Sequence, residues 1–94
     1  MADIRRLVID VLKPHQPSIV EISQELADME GVEGVNTSLL EVDEDVKNVK
    51  VTLEGRVDFK KVKERIEDSS GSIHSVDEVA AGEKMVEKVG TPQD

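Results

Sequence analysis

Along the first dozen residues, apolar and polar side chains alternate. From Ile4 to Leu12 the chain sets Leu7, Ile9 and Val11 on one face and Ile4, Arg6, Val8, Asp10 and Leu12 on the other. That two-residue period predicts a strand with one fully apolar face and one mixed face. Lys13-Pro14-His15-Gln16-Pro17 stops it, because neither proline can donate to a ladder. The period then changes. Ser18 with Glu21 forms a capping box, and Ile19, Ile22, Leu26 and Met29 recur at helical spacing, which predicts a helix from Ser18 to Met29 ended by Gly31. Val32 to Val42 reads as a second strand, bulged near Gly34 where the apolar residues change phase. Val46 to Leu53 is a third, marked by the strict alternation of Val49, Val51 and Leu53, and the short connection between the two predicts an antiparallel hairpin. Asp58 is the N-cap of a second helix that turns Phe59, Val62 and Ile66 inward, and Ser69-Ser70-Gly71 breaks it. Ile73 to Ala81 is a fourth strand of lower regularity. Glu83 to Asp94 is a polar tail with a short apolar pattern at Met85, Val86 and Val89.

The order is βαββαβ. Right-handed crossovers for both strand–helix–strand units lead to an α+β, ferredoxin-like sandwich over residues 1–82, followed by the tail at 83–94. Its antiparallel sheet has strand order 4-1-3-2, with both helices on one face. The other face is open and carries Arg6, Val8, Asp10, Lys50, Thr52 and Glu54. Ile4, Val8 and Leu12 add enough apolar area there to suggest a partner.

Composition narrows the function. The apolar fraction of 37% is Val, Ile, Leu and Ala, with Phe59 the only residue of the Phe, Tyr and Trp class. The stacking platforms that ligand pockets and nucleic-acid surfaces use are therefore missing. A net charge of −9 repels the phosphate backbone, so nucleic acid is not an expected partner, whereas cations and basic partners are allowed. With no cysteine, disulfides, thiolate chemistry and iron–sulfur ligation are excluded. No run approaches a membrane span and no signal-peptide pattern opens the chain, which predicts a cytoplasmic protein with no membrane partner.

Four of the five residues from Glu41 to Asp45 are acidic, and they fall on the tip of the predicted hairpin. In this topology the end of the first strand, the start of the first helix, the tip and the start of the fourth strand share one end of the sheet. Lys13, His15, Glu41, Asp43, Asp45 and His74 gather there, with Asp10 just below. A register that sets Asp10 opposite His74 also sets Arg6 opposite Glu78, a charge-complementary pairing.

Three readings of this end follow. The first is a divalent-cation site built from Asp10, Glu41, Asp43, Asp45, His74 and Asp77. Oxygen ligands dominate that set, which favours Ca²⁺ over a transition metal, although the spacing is not that of an EF-hand. A solvated hairpin tip explains the same run. The second is a small-molecule anion site around Lys13, His15 and the amides opening the first helix; a turn merely stiffened by Pro14 and Pro17 explains those residues equally. The third is self-association. The second strand is an edge with no charge between Glu33 and Glu41, and an uncharged edge of that length invites pairing with a neighbour.

The segments Val11-Leu-Lys-Pro-His15 with Pro17-Ser18-Ile19, Gly31-Val-Glu-Gly-Val-Asn36, Val49-Lys-Val-Thr52 with Gly55, and Ile73-His-Ser-Val-Asp-Glu-Val79 with Gly82 resemble the archaeal domain-of-unknown-function family two-eleven. The resemblance runs from about Ile4 to Val86. It implies a ferredoxin-like fold, an archaeal cytoplasmic protein, ring-like homo-oligomers and calcium binding, with no established activity. Asp10, Glu41, Asp43, His74 and Asp77 lie within the matching segments. Relatives by fold fit less well. Acylphosphatase-like catalysis needs an arginine in the loop after the first strand, heavy-metal carriers need CxxC, and RNA-recognition modules need aromatics on the central strands; all are missing. Amino-acid-sensing regulatory modules share the fold and associate edge to edge, and fold analogy alone supports them. The expected protein is therefore non-catalytic and self-associating, with Ca²⁺ as its candidate cofactor and a small-molecule-sensing regulatory module as the alternative.

Overall fold

A computed structural model of the chain describes residues 1–90. Its elements run β1 (Ile4–Pro14), α1 (Ile19–Ala27), β2 (Val32–Val42), β3 (Val46–Val57), α2 (Phe59–Asp68) and β4 (Ser72–Ala81). All three strand pairings are antiparallel and the sheet order is β2-β3-β1-β4, the predicted ferredoxin-like arrangement read from its other edge.

Period-two patterning makes the layers. Leu7, Ile9 and Val11 of β1 and Val49, Val51, Leu53 and Val57 of β3 are buried, and Ile22, Leu26, Val62 and Ile66 of the two helices close over them. Between Arg6 and Pro14 the β1–β3 register runs without interruption, so Arg6 faces Glu54, Val8 faces Thr52 and Asp10 faces Lys50 on the open side. The space between sheet and helices is filled. The void left among Val11, Ile22, Val49 and Ile66 has about 10 Å³, roughly the room of one water.

Local chemistry sets the element ends. Ser18 Oγ accepts from the Glu21 amide while the Glu21 carboxylate accepts from the Ser18 amide, the reciprocal capping box. Asp58 caps α2 by accepting from the Lys61 amide at 3.2 Å. At the root of the β2–β3 pair two backbones cross closely: the Arg56 amide donates to Gly31 O at 2.7 Å, and Gly31 and Gly55 take φ values of +89° and +128°. A Cβ on Gly55 would lie 2.6 Å from Glu33 N and closer still to Gly31 O, so only glycine fits.

Two expectations are corrected. Ile4 belongs to the core rather than the open face, because β1 breaks register on both sides between Ile4 and Arg6 and its parity changes there. The β1–β4 register also differs. Asp10 faces Ser75 and Arg6 faces Ala80, because β4 has further register shifts at Val8/Ile9 and Asp10/Val11. The Arg6–Glu78 contact survives diagonally, Nη1 to Oε2 at 3.4 Å. The bulge near Gly34 is present, and a second lies between Leu39 and Glu41. Beyond β4 the tail has no regular element through residue 90, and the last four residues of the predicted tail lie outside the described residues.

Candidate site at the acidic end of the sheet

Alternation carries β1 to Lys13 on the core side, one step beyond Leu7, Ile9 and Val11. The lysine is 3% exposed. Its Nζ donates to Pro14 O at 2.7 Å and also to Pro17 O. Burial holds the ammonium below its ordinary pKa of 10.5, and the facing Lys47 adds to the effect. Lys13 therefore ties the β1–α1 loop to the end of the sheet and does not present its charge to solvent.

That loop places His15 against the hairpin tip, where Nε2 donates to Asp43 O at 3.0 Å. The tip is organised by Asp43. Asp43 Oδ1 accepts from the amides of Val46 at 2.9 Å and Asp45 at 3.0 Å, while the Asp43 amide donates to Val46 O. These two amides hold the Asp43 carboxyl below the ordinary carboxylate range. Glu44 and Asp45 are exposed beside it.

The remaining sequence-predicted acids lie on the open face or at its edge. Asp10 Oδ1 accepts from Asn48 Nδ2. Glu41 is paired with Asn48 from the other side, so Asn48 stands between the two acids. Asp77 accepts from Ser75 Oγ at 2.7 Å and meets Lys50 Nζ at 3.3 Å, and these partners lower its pKa, with His74 contributing a weaker charge effect. His74 is exposed on the irregular step of β4 between Ile73 and Ser75. The six proposed metal ligands thus divide into a tip group of Asp43 and Asp45, an Asp10–Asn48–Glu41 row, an Asp77–Lys50 pair, and His74 by itself on β4. Among the described residues, no three His, Asp or Glu side chains are grouped to hold one ion.

Sequence reasoning missed Asn48 and, of the three carboxylates on Arg6, paired it only with Glu78. Arg6 binds Glu54 at 2.7 Å, Glu87 at 2.8 Å and Glu78 at 3.4 Å, contacts that push its guanidinium pKa up. Asn48 could have been found from phase, since it occupies the open-face position two before Lys50. Glu87 has no such signal, because the tail has no period.

Comparison with known proteins gives a family and a relative. A family model described as uncharacterized ArCR, the domain-of-unknown-function family two-eleven, matches residues 5–94. The chain belongs to this family. It is also similar to an uncharacterized protein, MJ0319, of Methanocaldococcus jannaschii, with 48% identity over all of this chain and 98% of that relative. Within this family-two-eleven chain, no helix among the described residues is long and apolar enough to cross a membrane.

Proposed function

We propose that the chain is a non-catalytic, self-associating protein whose β2 edge pairs with a neighbouring copy to build a closed homo-oligomer such as a ring. The supporting observation is the contrast between the two edges of the sheet. β2 exposes about half of Leu39 (49%), Leu40 (49%) and Val42 (50%), and Gly34 to Leu39 is a regular, uncharged run. β4 likewise exposes Val76 (47%) and Val79 (52%) and both edge strands have register breaks, so the contrast is one of charge: β4 carries Asp77 and Glu78 along its edge, and charges blunt an edge. The packed interior and the mutual pairing of the open-face charges support a binding role over a catalytic one. The rival reading, a small-molecule-sensing module using Lys13 and His15, loses its first donor, since the Lys13 ammonium is taken up by two carbonyls. Light scattering at micromolar concentration tests association. The wild type is expected above the single-chain mass of 10.4 kDa, and L39K/L40K at that mass. A wild type that stays at one chain refutes the proposal.

A second reading keeps Ca²⁺ as a ligand at the association edge. Glu41 stands at the β2 end beside Asn48 and Asp10, where a neighbouring copy extending the sheet would add its own oxygens. Calorimetric titration with Ca²⁺ and Mg²⁺ at physiological ionic strength should give saturable heat that Glu41→Gln removes; no saturable heat eliminates this reading and leaves association untouched.

A further inference from the structure

Arg5 is the residue that β1 leaves unpaired on both sides. Pairing passes from Ile4 opposite Val57 to Arg6 opposite Glu54, and from Ile4 opposite Ala81 to Arg6 opposite Ala80. A break in a central strand disrupts ladder order on two flanks, and such breaks re-aim the side chain they release. The released guanidinium is held by main-chain carbonyls. Nε donates to Gly55 O at 3.1 Å and Nη1 to Glu83 O at 3.2 Å. An arginine has five N–H donors, so three remain beyond these two. Its neighbour Arg6 takes three carboxylates, yet among the described residues Arg5 pairs with none, in a chain with 21 acids and 12 bases.

In front of Arg5 opens a groove of about 530 Å³ lined by Asp3, Arg56, Gly82 and Glu83. It lies at the end of the sheet opposite the acidic tip. Arg56 has a side chain 78% exposed and Asp3 one 56% exposed, and a 3.7 Å contact between exposed charges restrains neither firmly. Gly82, at φ +105°, donates its amide to Asp3 O, and a Cβ added there would meet nothing within 4 Å. The groove therefore combines a fixed fork of donors, a mobile second guanidinium and an internal carboxylate standing where an incoming anion would bind.

We propose that this groove binds a small oxyanion, the phosphate or carboxylate group of a metabolite, with Arg5 as the fixed donor and Arg56 as the mobile one. A guanidinium fork matches either group through paired hydrogen bonds. The net charge of −9, with Asp3 and Glu83 in the lining, selects a ligand bearing one such group over a polyanion.

Amide NMR titration of the full chain with inorganic phosphate and, separately, acetate tests the site at ionic strength fixed with sodium chloride. Saturable shifts of the Gly55 and Gly82 amides are expected with at least one of them, and the tighter binder identifies the group. Asp3→Asn removes the competing carboxylate and should tighten binding by about 1.4- to 5-fold, the range for exposed ion pairs. Arg56→Gln should weaken it by a similar factor, and Arg5→Lys, which keeps the charge but loses the fork, should weaken it further. Shifts that never saturate with either anion overturn the proposal, as does saturation that neither Asp3→Asn nor Arg56→Gln alters.

Discussion

Replacing Gly55 by alanine should damage the fold well beyond the size of the change. At φ +128° an L side chain is strained, at a cost of about 1–3 kcal/mol. The new Cβ would press on backbone atoms, Gly31 O and Glu33 N, which have no side-chain freedom with which to yield. Relieving that overlap means moving the strand and stretching the 2.7 Å bond from the Arg56 amide to Gly31 O, worth about 0.5–1.5 kcal/mol. Together these give a loss of about 1.5–4.5 kcal/mol, a large share of the roughly 5–15 kcal/mol that holds a domain together. Urea unfolding followed by circular dichroism at one fixed protein concentration measures it, since association would otherwise alter the apparent stability. Gly34→Ala is the internal control. It lies in the same strand pair, has an ordinary φ and would meet nothing within 4 Å, so a change within about 0.5 kcal/mol, or a slight gain, is expected. A Gly55→Ala loss below about 1 kcal/mol, or one equal to the control, would refute the reasoning about the crossing.

Two further outcomes follow from titration. Lys13 loses its proton at lower pH in the folded chain than in the unfolded one, so its buried charge costs stability in full below the folded pKa. The cost disappears as pH rises toward the ordinary value of 10.5. The urea midpoint of the wild type should therefore rise relative to Lys13→Met over that alkaline window, and a constant difference would count against the buried ammonium. Asp43 has the opposite sign: its lowered pKa contributes stability above the ordinary value of 3.8, lost as pH falls through the folded pKa. Asp43→Asn should flatten the acid limb of the stability curve, and an unchanged limb would show that the amides of Val46 and Asp45 do not hold that carboxylate.

Where the backbone keeps a strict period, the sequence could be read to the residue. Leu7, Ile9 and Val11, opposite Leu53, Val51 and Val49 of β3, need only alternation to be placed, and the open-face pairs Arg6–Glu54 and Asp10–Lys50 lie within the same uninterrupted register. The capping residues Ser18 and Asp58 were equally legible, because a cap is a local event. Bulges erased the rest. One irregular step beside Arg5 moved Ile4 into the core, and two more in β4 replaced His74 by Ser75 opposite Asp10. Of the candidate site, the approach of His15 to the tip followed from topology alone. The Asp77–Lys50 pair depends on a register that β4 does not keep, and Lys13, although in phase with the core, reads as loop because Pro14 follows it.

The place of β1 in the sheet has a consequence for how the chain is made. Of the four strands of the domain, β1 is made before the others, yet it ends between two of them, Val46–Val57 and Ser72–Ala81. During synthesis the β2–β3 hairpin can close from neighbouring residues, whereas β1 waits for β3 on one flank and for nearly the whole chain on the other. Until β4 arrives, Leu7, Ile9 and Val11 lie along an open seam, and completion of the domain is timed by its last strand.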